Sequence, residues 1–378
     1  MILKKIGIIN FRNYIKCNIK FNDEINIFIG NNAQGKTNIL ESIYVLALTK
    51  SYRTNNDDIL KKVGCDNYKI KGELKIGKYY KNLTVSIINN DKKVFVNDTN
   101  IKKISDYVSN MNVILFAPED VETIKGSPSL RRDLLNIEIS QIDQQYIKNY
   151  NEYNKILKMR NDYLKLLYTN SISDVRYLDV LTENLIDRAV YIYKKRLDFI
   201  NKINSNISII FKNLTNEDSL KIEYDTNFEI FNKTNEEIKQ LLKEKYKKNQ
   251  NREITSGMTL YGPHRDDFKF LINNKDIKNY GSQGQQKMAM IAFKLSEIPI
   301  FEELTNTKPI LLLDDIFSEL DKKRRNKLIE YINNGIQVII TSNDTVGINK
   351  KILEKAKIFR IENGKIINKD KGDNNGRK

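Results

Sequence analysis

Residues 30–37 read Gly30-Asn31-Asn32-Ala33-Gln34-Gly35-Lys36-Thr37, a complete G-x-x-x-x-G-K-[ST] pattern. The apolar run Ile25-Asn26-Ile27-Phe28-Ile29 precedes it and reads as a short buried strand. After it, Ile39, Ile43, Leu46 and Ala47 recur at helical spacing. Strand, glycine loop and helix in that order turn the pattern into a physical site. The glycines let successive N–H groups face a phosphate chain, and the helix N-terminus adds its dipole. The stretch Gly30 to Asn38, including Asn31, Asn32, Ala33, Gln34 and Gly35, is therefore expected to bind a nucleoside triphosphate. Lys36 would reach the β- and γ-phosphates and assist catalysis, and the Thr37 hydroxyl would hold Mg²⁺.

A second element completes this chemistry. Ile310-Leu311-Leu312-Leu313-Asp314-Asp315 is an apolar strand ending in two carboxylates. The C-terminal end of a buried parallel strand is where open α/β sheets bind ligands. Asp314 is expected to hold Mg²⁺, and Asp315 to orient or deprotonate the attacking water. Upstream, Ser282-Gln283-Gly284-Gln285 opens a helix whose apolar face carries Met288, Ile291, Ala292 and Leu295. Ser282 and the N–H groups near Gly284 suit a γ-phosphate at a helix N-terminus. An ordinary helix cap is the plainer reading of Ser282.

The chain has 378 residues, enough for two domains, with 64 Lys plus Arg against 48 Asp plus Glu and a formal charge of +16. Such an excess in a nucleotide-binding chain points to a polyanion, most simply nucleic acid, although a lysine-rich genome would also produce it. The basic residues include the runs Lys243 to Arg252 and Lys322 to Lys327. Two cysteines, Cys17 and Cys65, give neither a disulfide framework nor metal-ligand spacing and read as buried thiols. No signal peptide begins at Met1, and no apolar run reaches membrane-spanning length, so a cytoplasmic protein without a membrane partner is expected.

Texture along the chain suggests an α/β head split by a helical insertion. Strands are expected at 2–9, 14–21, 68–76, 79–88 and 93–96, with a turn at 97–100. From Ser129 to Ser256 neither proline nor glycine occurs over 128 residues, which argues for long helices. Ile186, Val190, Tyr193, Leu197 and Ile200 form a seam on one of them, and 170–174 reads as a bend between two. Mixed texture returns with strands expected at 267–272, 309–313, 337–340 and 357–361. The expected division is 1–125 as the first part of the head, 126–256 as the insertion, 257–367 as the second part and 368–378 as a disordered tail.

Together these parts resemble the ABC-type heads of the SMC ATPases, and more closely the RecF family of recombination mediators. Beyond the loop, the signature and the carboxylate strand, the resemblance rests on Asn10-Phe11-Arg12-Asn13-Tyr14 and Lys50-Ser51-Tyr52-Arg53-Thr54. It rests also on Phe116 to Asp120, Lys125 to Arg132, Tyr261 to Asp267 and the Ser318-Glu319-Leu320-Asp321 turn. It implies a P-loop ATPase head with an inserted, mainly helical second lobe, and a slow, DNA-stimulated ATPase. The signature residues Ser282, Gln283, Gly284 and Gln285 would act in trans, completing the site of a second copy in an ATP-dependent homodimer. The partners it implies are duplex and gapped DNA and the mediator proteins RecO and RecR, in the repair of single-stranded gaps.

Three positions depart from the pattern. Asp315 stands where such ATPases carry Glu, and Tyr52 where the family's Lys-Ser-His-Arg-Thr has His. Thr341-Ser342-Asn343-Asp344 stands where a switch histidine would lie. The single histidine, His264, reads equally as a structural ring or a site residue. A GTPase would need an Asn-Lys-x-Asp reader, which does not occur. An ATPase subunit of a membrane transporter is the alternative, since it would share the signature and the carboxylate strand, but the insertion and the charge would have no purpose there.

Overall fold

The computed structural model describes residues 1–89, 91–216, 219–332, 335–345 and 348–367. The segment 368–378, expected to be disordered, lies outside them. The chain divides into two compact units. One comprises Met1–Asp120, Asn213–Thr215 and Lys294–Lys378, and the other Val121–Lys212 and Asn216–Phe293.

The first unit begins with β1 (Ile2–Phe11), β2 (Tyr14–Lys20) and β3 (Ile25–Ile29), then α1 (Lys36–Leu48). Next come β4 (Tyr68–Ile76), β5 (Tyr79–Ile88), β6 (Asp91–Val96), β7 (Thr99–Asn100), α2 (Ile104–Tyr107) and β8 (Val113–Phe116). An antiparallel sheet runs β2-β1-β4-β5-β6-β7. The expected turn after residue 96 is made by Asn97 and Asp98, both with positive φ, the conformation these residues tolerate best. Thr99 and Asn100 already pair as β7. The strand β8 was not anticipated, because an apolar run of four residues is too short to separate strand from helix.

In the second unit lie α3 (Val121–Lys125), α4 (Pro128–Ile142), α5 (Gln144–Tyr168), α6 (Arg176–Thr215, whose last three residues fall in the first unit), β9 (Leu220–Asp225) and α7 (Asn235–Ser256). They are followed by β10 (Asp267–Ile272), β11 (Lys275–Asp276), α8 (Ile277–Tyr280) and α9 (Gln283–Thr305), which enters the first unit's share of the chain at Lys294. The stretch without proline or glycine does form long helices, and 170–174 separates α5 from α6. It also holds β9, which pairs antiparallel with β10 in a β11-β10-β9 sheet. That pairing places 267–272 in the second unit, so the structural boundary falls after Phe293 rather than at residue 257. Four of the five seam residues on α6 are buried, and Leu197 is half-buried.

Two buried arginines of the second unit hold several partners each. Arg160 donates to Glu253 (2.7 Å), to the Thr259 hydroxyl (2.8 Å) and to Thr182 (2.9 Å). Arg131 pairs with Asp267 through Nε and Nη2 and also donates to the carbonyls of Thr123, Ile124 and Gly126. Two of the motifs carrying the family resemblance are thus joined by one guanidinium, whose planar fork suits several fixed acceptors.

The chain then returns to the first unit through β12 (Ile310–Asp314), α10 (Lys322–Ile332), β13 (Val338–Ser342), α11 (Lys350–Lys355), β14 (Ala356–Glu362) and β15 (Lys365–Ile367). These complete a second sheet ordered β15-β14-β3-β13-β12-β8, parallel except for β15. Helix α1 packs between the two sheets, touching β1, β4 and β5 of one and β8, β12 and β13 of the other. A helix covered on two sides is apolar nearly all round, as Ile39, Leu40, Ile43, Val45 and Leu46 are.

Candidate nucleotide-binding site

Strand order fixes the site before any side chain is considered. β13 lies between β3, which leads into the glycine loop, and β12, which ends in Asp314. In register, Thr341 of β13 stands beside Phe28 of β3 and Asp314 of β12. The loop and the carboxylates therefore open over one end of the sheet with Thr341 between them.

Glycine is required at both ends of the loop. Gly30 has φ 157° and Gly35 φ 108°; a Cβ would lie 2.4 Å from the Ile361 carbonyl at the first and 2.5 Å from Asn13 Nδ2 at the second. The β1–β2 turn braces the loop from below. Asn13 donates to the Gln34 carbonyl (3.1 Å), Tyr14 to the Gly35 carbonyl (3.0 Å), and Asn38 to Asn13 Oδ1 (2.9 Å). Helix α1 starts at Lys36 with no side-chain cap and no acidic residue in its first turn. Such a start leaves its N–H groups and positive dipole for an anion.

Lys36 is buried, and its ammonium donates to the Gly30 carbonyl (2.6 Å), the Asn31 carbonyl (2.9 Å) and Asn343 Oδ1 (3.1 Å). Burial lowers its pKa, while Asp315 and Asp314 act the other way. Asp314 is also buried. Its Oδ1 accepts from Thr37 (2.9 Å) and Thr341 (2.7 Å), and its Oδ2 from the Tyr52 hydroxyl (2.9 Å). Burial, then Asp314, raise the Tyr52 pKa well above its ordinary value, so Tyr52 stays a protonated donor.

Asp315 occupies a left-handed conformation (φ 49°). Its N–H donates to Thr341 Oγ1, and its carbonyl accepts from Ser318. Its Oδ1 is buried without a hydrogen-bond partner among the described residues. Burial raises its pKa, helped by Asp314 and Glu319 and opposed by Ser318 and Lys36. An under-satisfied carboxylate with a raised pKa is the state expected of a group that must accept a proton.

The donor set suits a hard cation: the Thr37 hydroxyl and the Asp314 carboxylate meet with no sulfur or imidazole between them. Among the described residues no cluster of three or more His, Cys, Asp or Glu exists that could cage a metal. Mg²⁺ commonly needs only one or two carboxylates besides substrate phosphates, so these residues fit it.

The structure thus brings Gly30 to Asn38, Asp314 and Asp315 together. The signature residues belong to the second unit. There Ser282 caps α9: Gln285 N–H donates to its Oγ (3.2 Å), and Ser282 N–H donates to Gln285 Oε1 (2.9 Å). This reciprocal capping box satisfies the plain reading. It still leaves the Ser282 hydroxyl proton for an outside acceptor, and Ser282 and Gln283 are exposed.

Several participants carried no role in the sequence reading. Thr341 and Tyr52 both donate to Asp314, and Asn343, where a switch histidine was expected, accepts from Lys36. Glu41 is a fully buried carboxylate in α1. It accepts both Nε (2.8 Å) and Nη2 (2.5 Å) of Arg12 and the Ser51 hydroxyl (2.6 Å), with Arg53 at 3.5 Å. A charge inside a helix otherwise apolar on every side was the available signal. His264 uses both ring nitrogens inside the second unit, Nε2 toward the Thr259 carbonyl (3.2 Å) and Nδ1 toward the Tyr153 hydroxyl. Cys17 is buried, but Cys65 is only half-buried.

A glycine loop on a strand–helix junction, facing a carboxylate two strands away, defines a P-loop ATPase head. Residues 2–366 match the family described as RecF/RecN/SMC N-terminal domain. The Smc head domain of Pyrococcus furiosus shares the fold, with a TM-score of 0.53 at 16% identity over 97% of this chain and 96% of the other. The relationship is closer still within that class. The DNA replication and repair protein RecF of Ligilactobacillus salivarius is 41% identical over 368 residues, 97% of each protein. A solved structure described as the recombination mediator protein RecF bound to ATP in the RecFOR pathway superposes with a TM-score of 0.89 at 32% identity, covering 97% of both chains. The chain belongs to the RecF family. That membership overturns the transporter alternative, which the shared signature and carboxylate strand had left open. No helix among the described residues is long and apolar enough to cross a membrane.

Proposed function

We propose that this protein is an ATP-dependent recombination mediator. It binds duplex DNA beside single-stranded gaps as an ATP-bound dimer, helps RecO and RecR load recombinase there, and leaves when ATP is hydrolysed. The observation that carries the reading is the meeting of Lys36, Thr37, Asp314 and Asp315 at one end of one sheet, in a chain related over its length to RecF proteins.

The chemistry follows from the residues. The uncapped start of α1 and the loop N–H groups hold the phosphates. Lys36, released from the Gly30 and Asn31 carbonyls, adds the positive charge on the β- and γ-oxygens. Mg²⁺, held by Thr37 and Asp314, would neutralise charge developing on those oxygens. Asp315 orients the attacking water and takes its proton. The trans role of Ser282 to Gln285 in a dimer is supported by their exposure and by the remaining donor on Ser282. Binding then closes the dimer and hydrolysis opens it, so the nucleotide acts as a timer.

Sedimentation of the protein with and without ATP and duplex DNA tests this. The expected result is a monomer without ATP and a dimer retained on DNA with it. Lys36→Met should abolish both ATP binding and retention. DNA retention that is indifferent to ATP would refute the reading.

A further inference from the structure

The antiparallel sheet of the first unit uses only one face for its core. Alternation along the strands sends Leu3, Ile8, Ile70 and Leu74 inward and lysines outward. The outer face carries Lys5 on β1, Lys16 and Lys20 on β2, and Lys69 and Lys71 on β4, all exposed. They line a hollow of about 520 Å³ in which Glu73 is the only carboxylate among the described residues. Gly7 lies between Asn18 and Lys71 in the pairing, and its missing side chain lowers the floor.

Two features mark this face as more than a solvated surface. Lys5 and Lys20 stand directly opposite across β1 and β2, and like charges in that position destabilise a sheet. Neutralisation is slight as well. Lys5 pairs with Glu73 (3.1 Å) and Lys71 with Asp98 (3.4 Å), both too exposed to be worth much. Among the described residues, Lys16, Lys20 and Lys69 have no carboxylate in ion-pair contact.

The chemistry of the lining selects the occupant. Lysine offers a point charge on a flexible stem, suited to phosphate rather than to the fixed pattern of a base edge. Among the described residues no aromatic side chain lines the hollow, so they offer no stacking platform of the kind single strands need. The lysines spread over three strands, roughly 10 Å across the sheet and 14 Å along it. A duplex, with a charge about every 1.7 Å of its axis, matches such a field better than a short acidic peptide. We propose that this lysine-lined outer face is a docking surface for the phosphate backbone of duplex DNA. The assignment rests on the DNA-binding function proposed above and specifies where the backbone lies.

The test uses the full chain with ATP and a mixed-sequence blunt duplex, comparing the parent with a Lys16→Glu, Lys20→Glu, Lys69→Glu triple variant. The triple should bind at least tenfold more weakly. Its plot of log affinity against log salt should be shallower by about 3, at about 0.9 per phosphate contact. ATP binding and ATP-driven self-association should match the parent, because none of the three residues touches the nucleotide site. The corresponding triple to Arg should keep the parent's affinity. A Glu triple with the parent's affinity and salt slope would overturn the surface and leave the DNA-binding function standing. A parent that fails to bind the duplex at all would overturn both.

Discussion

Asp314 receives three hydroxyl donors, and the position of each in the fold decides what its loss would do. Thr37 comes from the loop, Thr341 from the strand between, and Tyr52 from the segment after α1. Tyr52→Phe removes the only donor on Oδ2 among the described residues, a contact that would orient the carboxylate toward Mg²⁺. Partners that orient a metal ligand are typically worth about 10–100-fold in metal affinity. A Mg²⁺ titration of ATP binding in this variant should therefore shift to higher Mg²⁺ by that factor. Tyr52→His, the residue usual in the family, should restore it. Asp315→Asn should leave ATP and Mg²⁺ binding intact and slow hydrolysis about 10²–10⁴-fold, the usual cost of losing a placed base. Single-turnover assays read this directly; unchanged turnover would move the base role to Glu319. Arg12→Ala leaves the fully buried Glu41 with the half-exposed Arg53 and the Ser51 hydroxyl and should cost about 3 kcal/mol in urea unfolding. Of these contacts the sequence revealed only part. The loop and Asp314 were legible because strand, glycine and lysine occur in one contiguous order. Thr341 was not, because its value comes from strand order: β13 is inserted between β3 and β12, and no local pattern records that insertion. Tyr52 was not, because it meets Asp314 from a loop 262 residues away in sequence.

Elements were most legible where one physical rule acted alone. The alternating strand β4 began and ended where expected, and so did β10, whose apolar residues run on to its end. The helical stretch was recognised by the absence of proline and glycine, a rule that says nothing about β9, whose strand state depends on pairing with β10. The segment linking α7 to β10 holds His264, and its geometry gives a pH test. Burial pushes the His264 pKa down to about 4 from 6.5. The folded protein thus keeps the ring neutral where the unfolded chain protonates it. Stability from this group is present above pH 6.5 and is lost as pH falls toward 4, by up to about 3 kcal/mol. Asp266 slopes the other way, since burial pushes its pKa up to about 7 and the unfolded chain ionises it sooner. Wild type alone would show only the near-cancellation of the two. The measurement is the difference in unfolding free energy between wild type and His264→Gln across pH 7 to 4. Wild type should lose ground steadily to the variant; a flat difference would mean that the ring is not the titrating group.

At the scale of the whole molecule, the phosphate loop and the signature lie in different compact units of one chain, and under the function proposed above a second copy would supply the signature. Ser282→Arg separates nucleotide capture from dimer closure. The loop, Lys36, Thr37 and Asp314 are untouched, so the variant should bind ATP as a monomer. A bulky cation at the start of α9 breaks the Ser282–Gln285 capping box, which costs about 1 kcal/mol locally, too little to unfold the unit. It also removes an exposed hydroxyl, so under the proposed mechanism a γ-phosphate held by the partner would lose that donor and meet steric obstruction. The variant should stay monomeric with ATP and hydrolyse it poorly. Mixing it with Lys36→Met protein gives the sharper reading. The Ser282 variant contributes an intact loop and carboxylates, the Lys36 variant an intact signature, and together they assemble one complete site of the two in a dimer. Sedimentation of the mixture should show ATP-driven association that neither variant shows alone, with turnover no higher than half the parent's. If Ser282→Arg dimerises with ATP as the parent does, the signature helix is only structural and closure has another cause. If the mixture stays monomeric while both variants remain folded, one composite site is too few to hold the dimer and both must close together.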